Sequence, residues 1–379
     1  MSHVATVTID NTKVSADLTD YVVYVNLADL PASFWDVVAN GGGDIRCFKS
    51  DDTTELPREV VFCDTSTSTG ELHVKYTGTL SSSTDTMIHI YADGSSSEPT
   101  VTSTYGRNNV WTAYSLVWHL QGSSLATIIN SQGSGNNASS DNGTPSYQAA
   151  GKLSGYGVNF DGSNDWIDIS SVTGAPASSS ANRSLTLWSK VDVIQKDDEL
   201  GGYGNIGGGR FVVSSNTQTT GSWFYWGLAH DSTSTRIYRN GTLDGTNTSN
   251  TVNTSVTMRY NDVYGHMKAE VGLGGTNFRI GSRNISTVLL YDGILDEVRM
   301  AGSVALSGTW LATEYNNQND TSTFYTATAA GGGATGTNLQ LNIADSWRTV
   351  DAAKINVGDV WKDVTSMSIN VGDAWKTIF

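Results

Sequence analysis

The 379-residue chain has only two cysteines, Cys47 and Cys63. Two thiols cannot build the disulfide framework of a small secreted scaffold, so apolar cores must supply the stability. Both are expected to be free, buried and in separate strands. Basic residues are scarce as well, 22 Lys and Arg against 37 Asp and Glu, for a formal net charge of −15. A phosphate backbone or an anionic bilayer would be repelled, and nucleic acid is not an expected partner. No apolar run approaches the roughly 20 residues that span a bilayer. The start, "MSHVATVTIDNTKVSADLTDYVVYV", has no basic segment followed by an unbroken apolar stretch, so neither membrane insertion nor a secretory signal is expected. The reading is of a soluble protein made in a cytoplasm.

Proline is also rare, at 5 residues, whereas Gly, Ser, Thr and Asn are plentiful and Trp reaches 11. That mixture suits short strands and many turns, an all-β chain. Between residues 4 and 94 the segments "VATVTID", "DYVVYVNL", "DIRCFKS", "REVVFCD", "ELHVKYTG" and "TMIHIYADG" alternate as half-buried antiparallel strands do. They predict one β-sandwich over residues 1–100. A second all-β stretch, 101–328, carries about ten more strands, too many for an immunoglobulin-like domain and suited to a jelly roll. Within it "RIYRNGTLDG" predicts a two-residue hairpin at Asn240-Gly241. Trp310, Leu311, Glu314 and Tyr315 recur at helical spacing over 307–318. A Gly/Ala linker, 329–339, leads to a repeat module, 340–379.

That module writes "LNIADSWRTV", "INVGDVWKDV" and "INVGDAWKTI", so Trp347, Trp361 and Trp375 stand 14 residues apart. A turn at Gly358-Asp359 sets Val357 opposite Val360, Asn356 opposite Trp361, Ile355 opposite Lys362 and Lys354 opposite Asp363. The other copies pair Asn342 with Trp347 and Asn370 with Trp375, and the expectation is a meander of about six strands. Forty residues rarely hold a fold alone. The three Trp and three Asn are therefore expected to form the packing core of an assembly module, with a sugar-stacking platform as the other reading.

Candidate chemistry is sparse. A retaining jelly-roll glycosidase sets two carboxylates about 5 Å apart, as alternate residues on one strand face do. Asp165/Asp168 and Asp296/Glu297 are spaced to oppose one another, and Asp197-Asp198-Glu199 reads as a loop, so no enzyme is expected. "GYGNIG" (202–207) lacks the strand before and helix after that a dinucleotide site needs. The six histidines, among them His73, His89 and His119, show no metal-ligand spacing and read as strand positions. In "DGSND", Asp161, Asn164 and Asp165 could give oxygen ligands to Ca²⁺ or close an ordinary Asx turn. No other cofactor is indicated. "GSWFYWGLAHD" places Trp223 and Tyr225 on one face of a strand and Trp226 on the other, so one aromatic face is expected to meet either a glycan or a neighbouring chain.

Three regions resemble known proteins. "VTIDNTKVSADLTDYVVYVNL" and "GELHVKYTGTLSSSTDTMIHIYADG" resemble an uncharacterised β-sandwich domain of bacterial-surface and phage proteins. "NNVWTAYSLVWHLQ", "GYGVNFDGSNDWIDI" and "DGILDEVRMAGSVALSGTWLATEYNNQND" resemble a concanavalin A-like, laminin-G-type jelly roll, a family that includes carbohydrate-binding modules. The closing repeats resemble the "NVGGxWK" copies that end some bacteriophage virion proteins. These resemblances imply a non-enzymatic virion component, in a tail fibre, tail tip or capsid decoration, that displays a jelly roll to a host-surface glycan. Its implied partners are other virion proteins and copies of itself in a homo-oligomer. A bacterial adhesin or polysaccharide-binding protein is the alternative, and a jelly-roll glycan hydrolase a third.

Overall fold

The computed structural model describes residues 1–330 apart from 134, 154, 170–172, 174–181, 193–218, 232, 249–254, 259–268, 273–277 and 282–290. It also describes the backbone of six strands between 340 and 377, and backbone pairing alone for Ser255–Met258 and Ala269–Gly272. The chain forms two units, Met1–Ala329 and Ala330–Phe379. It is all-β: two β-sandwiches of antiparallel strands, the second a jelly roll, and a hairpin repeat. No helix among the described residues is long and apolar enough to cross a membrane.

The first sandwich packs a five-stranded sheet against a three-stranded one. The larger sheet orders Tyr325–Ala329, Ser2–Ile9, Thr86–Ala92, Arg46–Lys49 and Glu55–Leu56. The smaller places Thr69–Lys75 between Val22–Asn26 and Arg58–Asp64. Alternation sends Val7, Ile9, Ile88 and Ile90 from one sheet and Val23, Val25, Leu72 and Val74 from the other into a shared core. Cys47 and Cys63 lie free and buried in separate strands of this sandwich, as their sequence setting suggests. Tyr325–Ala329 comes from beyond the jelly roll and pairs with Ser2–Ile9 along the register Ala5–Ala329 to Ile9–Tyr325.

The second sandwich packs an eight-stranded sheet against a five-stranded one. Its core joins Val158, Phe160, Leu185 and Leu187 of the first sheet to Ile167, Ile169, Phe278 and Ile280 of the second. The hairpin closes at Asn240 and Gly241, both left-handed with φ of 48° and 75°, between Arg239 and Thr242. This is the turn that the Asn-Gly pair requires. The helix Gly308–Asn319 begins where the spacing places it, with Ser307 Oγ accepting the Trp310 backbone N–H at 3.0 Å.

In the second unit, Asn342, Asn356 and Asn370 pair with Trp347, Trp361 and Trp375, and Lys354 with Asp363. The register is the one derived from the turn positions. Among the described residues each hairpin is a separate two-stranded sheet, whereas a continuous meander was expected. The side chains of these eight residues, and the segments 197–199 and 202–207, lie outside the described residues.

Candidate functional site

The strand Trp223–His230 is buried on both faces from Tyr225 onward. Tyr225 is 0% exposed and Trp226 2%. Trp226 and Leu228 point into the jelly-roll core. Tyr225 and Ala229 point the other way, into an aromatic layer with Trp111, Trp188 and Tyr238 that is capped by Leu311 of the helix. A two-layer sandwich leaves one face to water; here the helix and the segment around Trp111 form a third layer. Trp223 is half-buried, with Lys190 Nζ 5.7 Å from its ring centre. This corrects the expected aromatic platform, since Tyr225 and Trp226 offer no face to a ligand.

The "DGSND" loop is an Asx turn. Asp161 Oδ1 accepts the backbone N–H of Ser163 at 2.8 Å and of Asn164 at 3.3 Å. Asp165 is 1% exposed, and its two oxygens accept from the Thr144 and Asp161 backbones at 2.8 and 3.1 Å. The Asn164 carbonyl accepts from Asn142. Asp161 Oδ1 and both Asp165 oxygens are thus engaged by backbone N–H groups, as in an ordinary Asx turn. This favours the turn over the Ca²⁺ reading.

Where the two sandwiches meet, the structure gathers charge. On Thr69–Lys75, Leu72 and Val74 face the first core, so Glu71 and His73 face outward, and both are 0% exposed because the second sandwich covers them. Glu59 pairs across the strand with His73. From the second sandwich come His119, just past the strand Leu116–Trp118, and Glu297 and Arg299 of Asp292–Ala301. Leu295, Val298 and Met300 all reach the jelly-roll core, which strict alternation forbids between 295 and 298. The ladder against Arg183–Val191 slips there, and Glu297 takes φ of 52°. The bulge turns Asp296 and Glu297 to the same side as Arg299, where the alternating pattern had them opposed.

His119 bridges the junction. Its Nδ1 lies 2.5 Å from Glu297 Oε1 and 3.4 Å from Glu71 Oε1, and its Nε2 lies 3.2 Å from Glu59 Oε2. Burial works against an imidazolium, but Glu297 and Glu59 overcome it and hold the His119 pKa well above the ordinary value. His73, stacked on His119 at 4.8 Å, is pushed well down by burial and by its charged neighbour. Burial and the Glu297 charge push Glu71 well above the carboxylate range, and raise Asp296 to about 8. Glu297 stays ionised despite its burial, beside His119 and Arg299. Arg299 bonds Glu297 through Nε at 3.0 Å, reaches Glu314 at 3.3 Å and stacks 4.7 Å from the Trp111 ring. Trp111 Nε1 and Ser131 Oγ donate to Glu59.

Two clefts flank this buried core. One, of about 380 Å³, is lined by Thr19, Asp20, Thr112, Tyr114, Ser307 and Trp310. Asp20 takes the Gly78 N–H at 2.8 Å, with Lys75 Nζ at 3.6 Å. The other, of about 360 Å³, is floored by Glu59, His119 and Ser131 and walled by Arg107 and Gln121. Sequence reasoning missed Trp310, Glu59, Glu71, His73 and Arg299 as site residues; their only signal was polar or aromatic residues at outward positions of amphipathic elements. A second cluster, His3, Asp52 and His89, lies on the open face of the first sandwich, with His3 and His89 stacked at 4.3 Å.

No protein-family model matches the chain, and no curated protein does. Solved structures with similar regions include domain 4 of the Geobacillus stearothermophilus arabinanase AbnA, in complex with arabinotriose, at 17% identity and TM-score 0.37; the match covers 54% of this chain and 98% of that one. The botulinum neurotoxin serotype D binding domain is similar at 12% identity and TM-score 0.35, over 54% of this chain and 52% of that one. Trypanosoma rangeli sialidase is similar at 9% identity and TM-score 0.38, over 59% of this chain and 34% of that one.

Proposed function

We propose that this chain is a non-enzymatic structural component of a virion that displays its jelly roll for attachment to a host-surface glycan, held in the cleft beside Trp310. The observation that carries the glycan reading is the chemistry of that cleft. A half-buried indole stands among the exposed hydroxyls of Thr19, Thr112 and Ser307 and the carboxylate of Asp20. Sugars are taken by this combination, an apolar ring face with a few polar groups to fix orientation. The non-enzymatic reading rests on the acids: Asp296 and Glu297 line neither cleft, and Glu59 has both oxygens held by Trp111, Ser131 and His119. The virion reading rests on the resemblance of the closing Trp repeats.

A glycan array probed with the full chain tests attachment. Binding to a host polysaccharide is expected, weakened about tenfold, or ~1.4 kcal/mol, by Asp20→Asn or Trp310→Phe with the fold intact by circular dichroism. No binding to any host polysaccharide would remove the attachment role. For assembly, gel filtration of the full chain is compared with a chain ending at Ala329; an unchanged oligomeric state would sink the role given to the repeats.

A further inference from the structure

We infer that Glu71, His73, His119 and Glu297 form a divalent-metal site of the zinc class that joins the two sandwiches. One donor atom of each lies within 4.8 Å of the others, and all four residues are buried. His73 Nε2 is 2.9 Å from Glu71 Oε1, which is 3.4 Å from His119 Nδ1, itself 2.5 Å from Glu297 Oε1. Around a tetrahedral Zn²⁺ with bonds of roughly 2.0–2.1 Å, neighbouring ligand atoms stand roughly 3.3 Å apart. The separations within the cluster, from 2.5 Å to at most 4.8 Å, bracket that value. Two imidazole nitrogens and two carboxylate oxygens form a ligand set suited to zinc and its transition-metal neighbours, and unlike the all-oxygen sets of Ca²⁺ and Mg²⁺.

The surroundings are those of a built site. Metal-bound histidines characteristically use their second nitrogen on a carboxylate, and bound carboxylates are themselves hydrogen-bonded. His119 Nε2 meets Glu59, which Trp111 and Ser131 hold in place. Glu71 Oε2 accepts from Gln121 Nε2 at 3.1 Å, and Glu297 Oε2 from Arg299 Nε at 3.0 Å. His73, 0% exposed, is the exception: among the described residues its Nδ1 has no hydrogen-bond partner. The left-handed Glu297, a conformation seldom adopted by residues other than glycine, asparagine and aspartate, is what turns the fourth ligand into the cluster. His119 and Glu59 also floor the 360 Å³ cleft, which provides an entry path. Four protein ligands with no open position describe a structural centre. Two of them come from each sandwich, so the ion would cross-link the pair.

The test uses the full chain, purified, stripped with a chelator and reloaded with Zn²⁺ or Co²⁺ alone. About one tightly held equivalent is expected, with the visible absorption of four-coordinate Co²⁺ and a Tm that falls on chelation and returns with Zn²⁺. His73→Gln and Glu297→Gln should each lose the Co²⁺ band while keeping native circular dichroism. His89→Ala, which disrupts the separate surface cluster, should retain it. A chain that holds no stoichiometric metal, and whose Tm is indifferent to both chelator and Zn²⁺, would overturn the proposal. So would a metal lost in His89→Ala but retained in His73→Gln. A metal-free result would leave the glycan array unaffected, so the two readings fail separately.

Discussion

Asn317 offers a quantitative test of how the helix Gly308–Asn319 locks the sandwiches together. Val22–Asn26 is the edge strand of the three-stranded sheet, and an edge strand presents N–H and C=O groups with no ladder partner on one side. Asn317 stands in for that missing strand. Its Oδ1 accepts the Tyr24 N–H at 2.7 Å and its Nδ2 donates to the Tyr24 carbonyl at 2.8 Å. Asn317 is 0% exposed and Tyr24 3%. Asn317→Ala removes both bonds where water has little access, at about 1–3 kcal/mol for each buried group left unmatched. The sum, about 2–6 kcal/mol, corresponds to a Tm lower by roughly 3–9 °C, at an unfolding entropy of about 2.1 cal/mol/K per residue over Met1–Ala329. Asn317→Asp keeps the acceptor, loses the donor and buries a charge, so it should be at least as damaging. The control is Asn316→Ala, which gives up one part-buried bond to the Lys13 carbonyl and should cost about 1 kcal/mol or less. Urea unfolding of the three variants beside the parent measures all of this. An Asn317→Ala chain within about 0.5 kcal/mol of the parent would refute the role of the amide as a surrogate strand.

Two further outcomes follow from buried or hydrogen-bonded ionisable groups. Burial pushes the thiols of Cys47 and Cys63 up to about 12 and about 11, so at pH 8 almost none is thiolate, the reactive form. Iodoacetamide should spare both in the native chain and label both in urea; rapid stoichiometric labelling of the native protein would contradict the burial. Burial is the largest single influence on Asp231 and pushes its pKa up, but the hydroxyl and N–H of Thr233, the Ser234 N–H and Arg236 together outweigh it and hold the carboxyl at about 2. A depressed carboxylate stabilises above its unfolded pKa, near 4, and that contribution disappears as pH falls through about 2. Asp231→Asn should therefore weaken the chain at pH 7, with the difference closing at pH 2; equal losses at both pH values would refute the assignment.

Local pattern was legible and layering was not. Alternation located Ser2–Ile9, Thr69–Lys75 and Asp292–Ala301, and turn chemistry fixed the Asn240-Gly241 hairpin and the Asn–Trp pairing of the repeats. These features depend on neighbours a few residues away. The periodicity that marks Leu72 and Val74 as core is silent on whether Glu71 and His73 meet water or a second sandwich. Tyr225 and Trp226 were misjudged for the same reason, because an amphipathic strand does not announce a third layer. The bulge at Glu297 is hidden differently, since one residue with positive φ reverses the phase of all that follow and nothing in "DGILDEVRM" marks it. His73 and His119 carry no spacing signal because they come from different sandwiches.

The pairing of Tyr325–Ala329 with Ser2–Ile9 sets the order in which this protein can mature. On the ribosome, the amino-terminal sandwich emerges more than two hundred residues before the strand that covers its outer edge. Until then Ser2–Ile9 is itself an edge, its backbone groups open to any passing strand. Such long-range closure slows folding and prolongs the interval in which misassembly competes. A nascent chain arrested before residue 325 thus keeps that edge open, and the emergence of Tyr325–Ala329 is the event that ends its vulnerability.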